Sequence, residues 1–152
     1  ERTKPLEICT TGHEMRDTVY QEYKETLRYS NRTGVRAICS DGHVPKDWGP
    51  KMLRKMQASF EVWGKITGVI DTKEKFEAQR MKLATHEWAR MKANNSLECR
   101  NCHNFEAMSA ELQKQTPYRK HMKAKEAGKA CIDCHKGIAH KLPKEYEEPD
   151  DE

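Results

Sequence analysis

Four short runs of the sequence share one spacing between a cysteine and a histidine. Two are complete Cys-x-x-Cys-His units, at Cys99–His103 and Cys131–His135. The other two, at Cys9–His13 and Cys39–His43, carry glycine in place of the second cysteine. Two thiols spaced in this way add to the two vinyl groups of a haem, and the adjacent histidine reaches the iron. The pattern therefore predicts four haem c sites, two with both cysteines and two with one.

The cysteines leave no room for a separate disulfide framework, because all six lie inside the four runs. They are Cys9, Cys39, Cys99, Cys102, Cys131 and Cys134. Paired Cys-x-x-Cys units are also a zinc pattern, which makes a zinc-stabilised structural module the non-redox alternative. A zinc site gives no reason for histidine to follow both units directly, so the repeated spacing favours haem.

The composition supplies little apolar surface for an ordinary core. Hydrophobic residues make up 36% of the 152 residues and charged residues 34%, with a mean hydropathy of -1.03. Such a chain is either disordered or organised by a large apolar cofactor, and the cysteine runs favour the cofactor. The formal net charge is only +4, and no basic stripe with interleaved aromatic residues is present, so nucleic acid is not an expected partner.

The periodicity of the apolar residues predicts a mainly α fold with little or no β structure. Helices are predicted over residues 14–28, from Lys51 to a break at Asp71-Thr72, over 73–93, over 105–115, and from Tyr118 to near Gly128. An apolar stripe on the second of these predicts a buried side, which packs on protein or on haem; its members are Met52, Met56, Phe60, Trp63, Ile66 and Ile70. Asp71 is a candidate cap for the third helix.

The spacing of the four runs divides the chain into two dihaem units. The histidines are separated by 30, 60 and 32 residues. We therefore expect one multihaem domain over 1–152, with the first haem pair in 1–70, the second in 71–144 and an acidic tail at 145–152. Short helices would wrap around the haems.

No apolar run is long enough for a membrane helix, and no signal peptide is present. Because haem c is attached on the outer side of bacterial membranes, a targeting segment is expected to precede Glu1.

Several continuous stretches resemble the NapC/NirT/NrfH family of tetrahaem cytochromes, and its NapC/NirT branch in particular. They are Gly34–Ala37, Val44–Trp48, Asp71–Phe76, His86–Asn94, Cys99–Phe105 and Cys131–His140. The resemblance implies a cytochrome on the periplasmic side of the bacterial cytoplasmic membrane. An N-terminal anchor would hold it at the membrane, where it would take electrons from quinol. It would pass them to a nitrate, nitrite or trimethylamine N-oxide reductase, or to another redox protein.

The resemblance also implies roles for individual residues. Met15 stands where the family carries a methionine that ligates the first iron, and it is otherwise a core residue. Asp71, with Lys65 nearby, stands close to an acid that accepts quinol protons. The proximal iron ligands would be His43, His103 and His135, with His13 or Met15 at the first site. The second ligands would come from His86, His121 and His140, and His140 would serve a neighbouring haem.

The sequence departs from the family at three positions in its first third. Gly12 and Gly42 replace motif cysteines, and Arg28 replaces a histidine that is a candidate ligand of the fourth haem. Either one thioether holds each of the first two haems, or these sites have lost haem, or the changes are artificial. The first interpretation predicts a quinol-oxidising cytochrome and the second a relay subunit of a larger redox complex. A catalytic haem reductase is a third hypothesis, although only Met15 marks an open iron.

Overall fold

A computed structural model describes residues 6–70 and 72–147, except for the side chains of residues 13, 61, 64 and 65. In the described ranges the chain is helical and contains no β-strand, which confirms the mainly α prediction. The helices are α1 (Leu6–Cys9), α2 (His13–Asp17), α3 (Val19–Lys24), α4 (Cys39–His43), α5 (Trp48–Ile66), α6 (Lys73–Ala93), α7 (Leu97–Arg100), α8 (Gln115–Glu126) and α9 (Cys131–Cys134), with a 3-10 turn at Phe105–Ala107.

The long helix α6 has the predicted bounds. Thr72 is its N-cap, and the Thr72 hydroxyl accepts a hydrogen bond from the Lys75 backbone N–H at 3.3 Å. Thr72 thus fills the capping role that was expected of Asp71, and Asp71 itself lies outside the described residues. The helix ends as predicted, because Asn95 and Ser96 adopt left-handed backbone conformations with φ of 54° and 51°.

Helix α5 begins and ends a few residues before its predicted bounds, α8 begins at Gln115 and not at Tyr118, and two other predicted helices differ more strongly from the structure. The helix expected over residues 14–28 is broken at Thr18, whose hydroxyl donates a hydrogen bond to the Glu14 carbonyl. The helix expected over residues 105–115 is only a 3-10 turn. Asn104 accepts from the Glu106 N–H, and Ser109 accepts from two following N–H groups, so side chains take the place of helical carbonyls.

The protein core is small. Among the described residues the buried apolar side chains are Tyr23, Ala130 and Ile132. The fully buried Ser96 hydroxyl accepts the Ile132 N–H at 3.1 Å and joins the third motif to the fourth. Individual hydrogen bonds of this kind join the motifs, where a larger domain would use a continuous apolar core.

The apolar stripe of α5 faces solvent, so the expectation that it packs into a protein core is wrong. Met56, Phe60, Trp63 and Ile66 are each more than 60% exposed. The more buried positions of α5 include Lys51, Arg54 and Ala58, which lie on its opposite side. Within the described residues, no helix combines the length and the apolar character that crossing a bilayer requires.

Candidate haem-ligand site

The second and fourth motifs each fold into a short helix that begins at the first cysteine. In α4 the Asp41 carboxylate accepts the Ile38 backbone N–H at 2.9 Å, and in α9 Asp133 accepts the Ala130 N–H at the same distance. The His135 N–H donates to the Cys131 carbonyl at 2.9 Å. One helical turn therefore separates the first cysteine from the histidine, as attachment to a single haem requires.

Two pairs of histidine rings face one another. The centroids of the His43 and His140 rings are 6.1 Å apart, and those of the His121 and His135 rings are 5.9 Å apart. Two imidazoles on opposite sides of one metal ion have centroids about 6 Å apart, because each metal–nitrogen bond is about 2 Å and each ring centre lies about 1 Å further out. Both separations fit two axial ligands of one haem iron.

The described side chains fit an iron porphyrin better than a zinc ion. A structural zinc needs four protein ligands, and the described residues contain no cluster of three or more suitable ones. A porphyrin supplies four nitrogens itself, so the protein has only to provide two axial groups. The facing histidine pairs meet that need.

Hydrogen bonds to the outer nitrogens fix two of these rings. His43 Nδ1 lies 2.8 Å from Glu87 Oε1, and His121 Nδ1 lies 2.8 Å from Gln113 Oε1. A ligating histidine commonly donates its second N–H in this way, which leaves Nε2 for the metal. Burial alone would raise the pKa of Glu87, but hydrogen bonds from His43 and Arg90 outweigh it, so the pKa is lowered and the carboxylate stays ionised.

The other ligand candidates of the two pairs are neutral at pH 7. Burial lowers the pKa of His140 to about 4, and burial also lowers the pKa of His135. A neutral imidazole has the free lone pair that a metal ion binds. The ring environments are thus suited to ligation.

An ion-pair cluster fixes the segment that carries His140. Arg80 donates to Glu22 at 2.6 and 3.0 Å and to Glu77 at 2.7 Å. The Lys141 backbone N–H also donates to Glu22, at 2.9 Å, and the Lys141 carbonyl accepts from Arg80 at 3.1 Å. Because Lys141 follows His140 directly, this cluster holds the backbone beside His140 in place.

The two lone motif cysteines meet beside the His43–His140 pair. Cys9, Met15, Cys39 and the two histidines line one cavity. The hydrogen bond between the thiols lowers the pKa of Cys9 to about 6 and raises that of Cys39. The structure therefore brings residues of the first and second motifs, together with Met15, into one place.

The remaining candidates are not paired in the described part of the chain. His86 and His103 are exposed, and neither ring contacts another ring among the described side chains. The backbones of His13 and Lys65 lie in α2 and α5, but their side chains, like Asp71, lie outside the description. The His43–His140 pair joins 1–70 to 71–144, and its contact crosses the expected division between the haem pairs.

Sequence reasoning missed the charged residues that position the rings. Arg80 and Glu98 are buried, and Glu87 and Arg90 are largely so. A signal was available, because Glu77 and Arg80, like Glu87 and Arg90, are spaced i,i+3 on one helix. Such pairs usually belong to a solvated face, which is why the spacing alone did not single them out.

Comparisons with known proteins give a consistent result. The profile described as "NapC/NirT cytochrome c family, N-terminal region" matches residues 1–145. The chain is 57% identical over 152 residues to the denitrification system component NirT of Stutzerimonas stutzeri, covering 100% of this chain and 76% of that protein. It is 58% identical over 143 residues to the cytochrome c-type protein NapC of Escherichia coli K12, covering 94% and 72%.

A third relative is a putative tetraheme cytochrome-c type protein of Allochromatium vinosum. It is 46% identical over 149 residues, which are 98% of this chain and 79% of that protein. No solved structure gives a significant match. The motifs, the facing histidine pairs and these relatives agree, and the chain therefore belongs to the NapC/NirT cytochrome c family of haem c electron-transport proteins.

Proposed function

We propose that the chain carries electrons from membrane quinol to a periplasmic terminal reductase of the nitrate, nitrite or trimethylamine N-oxide type. This proposal is supported by the two histidine pairs, His43 with His140 and His121 with His135. Irons with two protein ligands have no open position for a substrate, which suits electron transfer and not catalysis at the metal.

The residues of the chain hold and separate the redox groups. Cys99 and Cys102 would attach one haem, Cys131 and Cys134 a second, and Cys9 and Cys39 one each by a single thioether. Bound haem supplies reversible one-electron chemistry. Glu87 and Gln113 orient the ligand rings, and the Arg80 cluster holds the His140 segment in place.

The first motif is the proposed entry point for electrons. Met15 lies in the cavity beside the second motif, where it would ligate the first iron and leave the opposite side for quinol. Asp71 and Lys65 would accept the protons that quinol releases. The name of the Stutzerimonas relative, a denitrification system component, favours a nitrogen-oxide reductase as the recipient.

Helix α5 supports a position at the membrane surface. Trp48, Phe60 and Trp63 are exposed on its apolar side, and Lys55 lies along the edge of that side. A helix with aromatic residues on one side and basic residues beside them is typical of the membrane–water interface. We infer a location on the periplasmic side of the cytoplasmic membrane.

A dihaem or tetrahaem relay without quinol oxidation is the second candidate. The observation that favours it is the glycine at positions 12 and 42, which removes half of the attachment chemistry from the entry side. In a dihaem chain, Cys9 and Cys39 would remain as thiols, already in hydrogen-bond contact.

The haem count separates the two candidates. We expect the intact mass of the denatured holoprotein to correspond to four covalent haems, with a matching pyridine haemochrome count. We also expect a reduced quinol analogue to reduce the haems in an anaerobic stopped-flow experiment. Two haems, with no reduction by the analogue but normal reduction by dithionite, would establish the relay and overturn the quinol proposal.

Restoring the second cysteine of the second motif should complete its attachment. An added Cβ at Gly42 meets no atom within 4 Å, and the backbone there is not left-handed, so Gly42→Cys fits without strain. We expect a second thioether, seen as a shift of part of the haemochrome α band to shorter wavelength. Gly49→Cys, equally open but outside any motif, should leave the band unchanged. A band that does not move in Gly42→Cys would show that no haem is attached there.

A further inference from the structure

The two histidine pairs differ in the group that holds the outer nitrogen. Glu87 accepts from His43 Nδ1, and Gln113 accepts from His121 Nδ1, both at 2.8 Å. The geometry of the two contacts is the same, but one acceptor is a carboxylate and the other a neutral amide. The two histidine pairs therefore differ in whether the hydrogen-bond acceptor of the outer nitrogen is charged.

The Glu87 carboxylate is fixed from its other side by Arg90. Arg90 Nη2 donates to Glu87 Oε1 at 2.7 Å, and Arg90 Nε donates to both carboxylate oxygens at 3.1 and 3.2 Å. Arg90 Nη1 donates to Glu98 Oε1 at 2.6 Å, and the Glu98 side chain is fully buried. Asn94 donates to the second Glu98 oxygen at 3.0 Å. Glu87 cannot turn away from His43 without breaking this network.

The network also holds a carboxylate against one pair, whereas the Gln113 amide beside His121 carries no charge. A carboxylate that accepts the Nδ1–H makes the imidazole a more electron-rich ligand, and nearby negative charge favours the oxidised, more positive metal. Both effects act in the same direction.

We propose that Glu87 is a positioning residue that lowers the reduction potential of the haem ligated by His43 below that of the haem ligated by His121 and His135. The inference rests on the proposed function, which puts haem at the second motif. This difference in reduction potential sets the direction of electron transfer. An electron on the haem ligated by His43 would move to the haem of higher potential, which is ligated by His121. Glu98 precedes Cys99, so the same network joins the second motif to the third.

Reciprocal substitutions test the inference in the holoprotein. Glu87→Gln gives His43 the acceptor that His121 has, and Gln113→Glu gives His121 the acceptor that His43 has. In spectroelectrochemical titrations we expect Glu87→Gln to raise the potential of one centre and Gln113→Glu to lower that of a different centre. Glu74→Gln, on the same helix but exposed, removes the same charge and should leave every centre unchanged.

Electron paramagnetic resonance supplies a readout that a purely structural role would not move. The g-value spread of one low-spin signal should change in Glu87→Gln while far-ultraviolet circular dichroism stays the same. The inference is overturned by a haem count of two, by a Glu87→Gln shift no larger than that of Glu74→Gln, or by a Gln113→Glu potential that does not fall. If both reciprocal shifts appear but a quinol analogue fails to reduce the protein, the proposed function fails and this inference stands.

Discussion

Replacing His140 with alanine should convert one haem centre from low spin to high spin. The centroid of the His140 ring lies 6.1 Å from that of His43, and its Nδ1 atom is removed from solvent. Loss of an axial ligand weakens the ligand field of the iron. We expect a charge-transfer band in the visible spectrum, a Soret shift to shorter wavelength, and one fewer low-spin resonance signal.

Two control experiments test whether the effect of His140→Ala is specific. Exogenous imidazole should enter the space left in His140→Ala and restore the low-spin spectrum. Lys141→Ala changes the next residue, whose contacts with Glu22 and Arg80 are made by its backbone. This variant should keep the wild-type spectrum. An unchanged spectrum in His140→Ala would show that His140 does not ligate an iron.

Replacing Arg80 with leucine should lower the free energy of unfolding more than any other substitution proposed for this protein. The Arg80 side chain is 9% exposed and its partner Glu22 is 11% exposed, so the substitution leaves a buried carboxylate without its counter-charge. Removing one member of a buried ion pair typically costs about 3–5 kcal/mol, a large share of the roughly 5–15 kcal/mol that stabilises a domain. Urea unfolding of the holoprotein, followed by circular dichroism, measures the change.

The control for Arg80 is Arg16→Leu. Arg16 pairs with Asp17, but both side chains are more than half exposed, so we expect a loss of at most about 1 kcal/mol. Equal losses in Arg80→Leu and Arg16→Leu would contradict the assigned role of the cluster.

The stabilising effect of this cluster should also depend on pH. Burial would raise the pKa of Glu22, but hydrogen bonds from Arg80 and from the Lys141 backbone outweigh it and lower the pKa. A carboxyl with a lowered pKa in the folded state stabilises the protein above its unfolded pKa of about 4.3, and that stability is lost as the pH falls. The stability difference between wild type and Arg80→Leu should therefore narrow as the pH falls below about 4.

The sequence was sufficient to predict a haem c protein and the long helix α6. Cysteine spacing, the helix stop at Asn94–Ser96 and the 3.6-residue periodicity are local patterns. Such patterns can be interpreted without knowledge of the fold. The breaks at Thr18 and after Ala107 were missed, because there short polar side chains replace helical carbonyls as hydrogen-bond partners.

Partner choice among the histidines could not be predicted in the same way. The resemblance predicts that His140 serves a neighbouring haem, but no feature of the sequence singles out His43 as its partner. That pairing depends on the Arg80 cluster and on Glu87, which act across 44 to 119 residues of sequence. The surface that the apolar side of α5 contacts could not be predicted either, since an apolar stripe has the same pattern whether it contacts protein, cofactor or membrane.

The contact between Glu22 and Lys141 spans 119 residues and has a consequence for the order of assembly. A chain exported with its N-terminus first presents Cys39–His43 to the attachment machinery early, but His140 arrives only near the end. Contacts between such distant segments also form slowly, because a long loop must close first. With His140 as the proposed second ligand of its haem, the second motif would be among the first to emerge and among the last to be completed. An export event that stops short of residue 140 would leave an early haem with a single axial ligand and an exposed reactive iron.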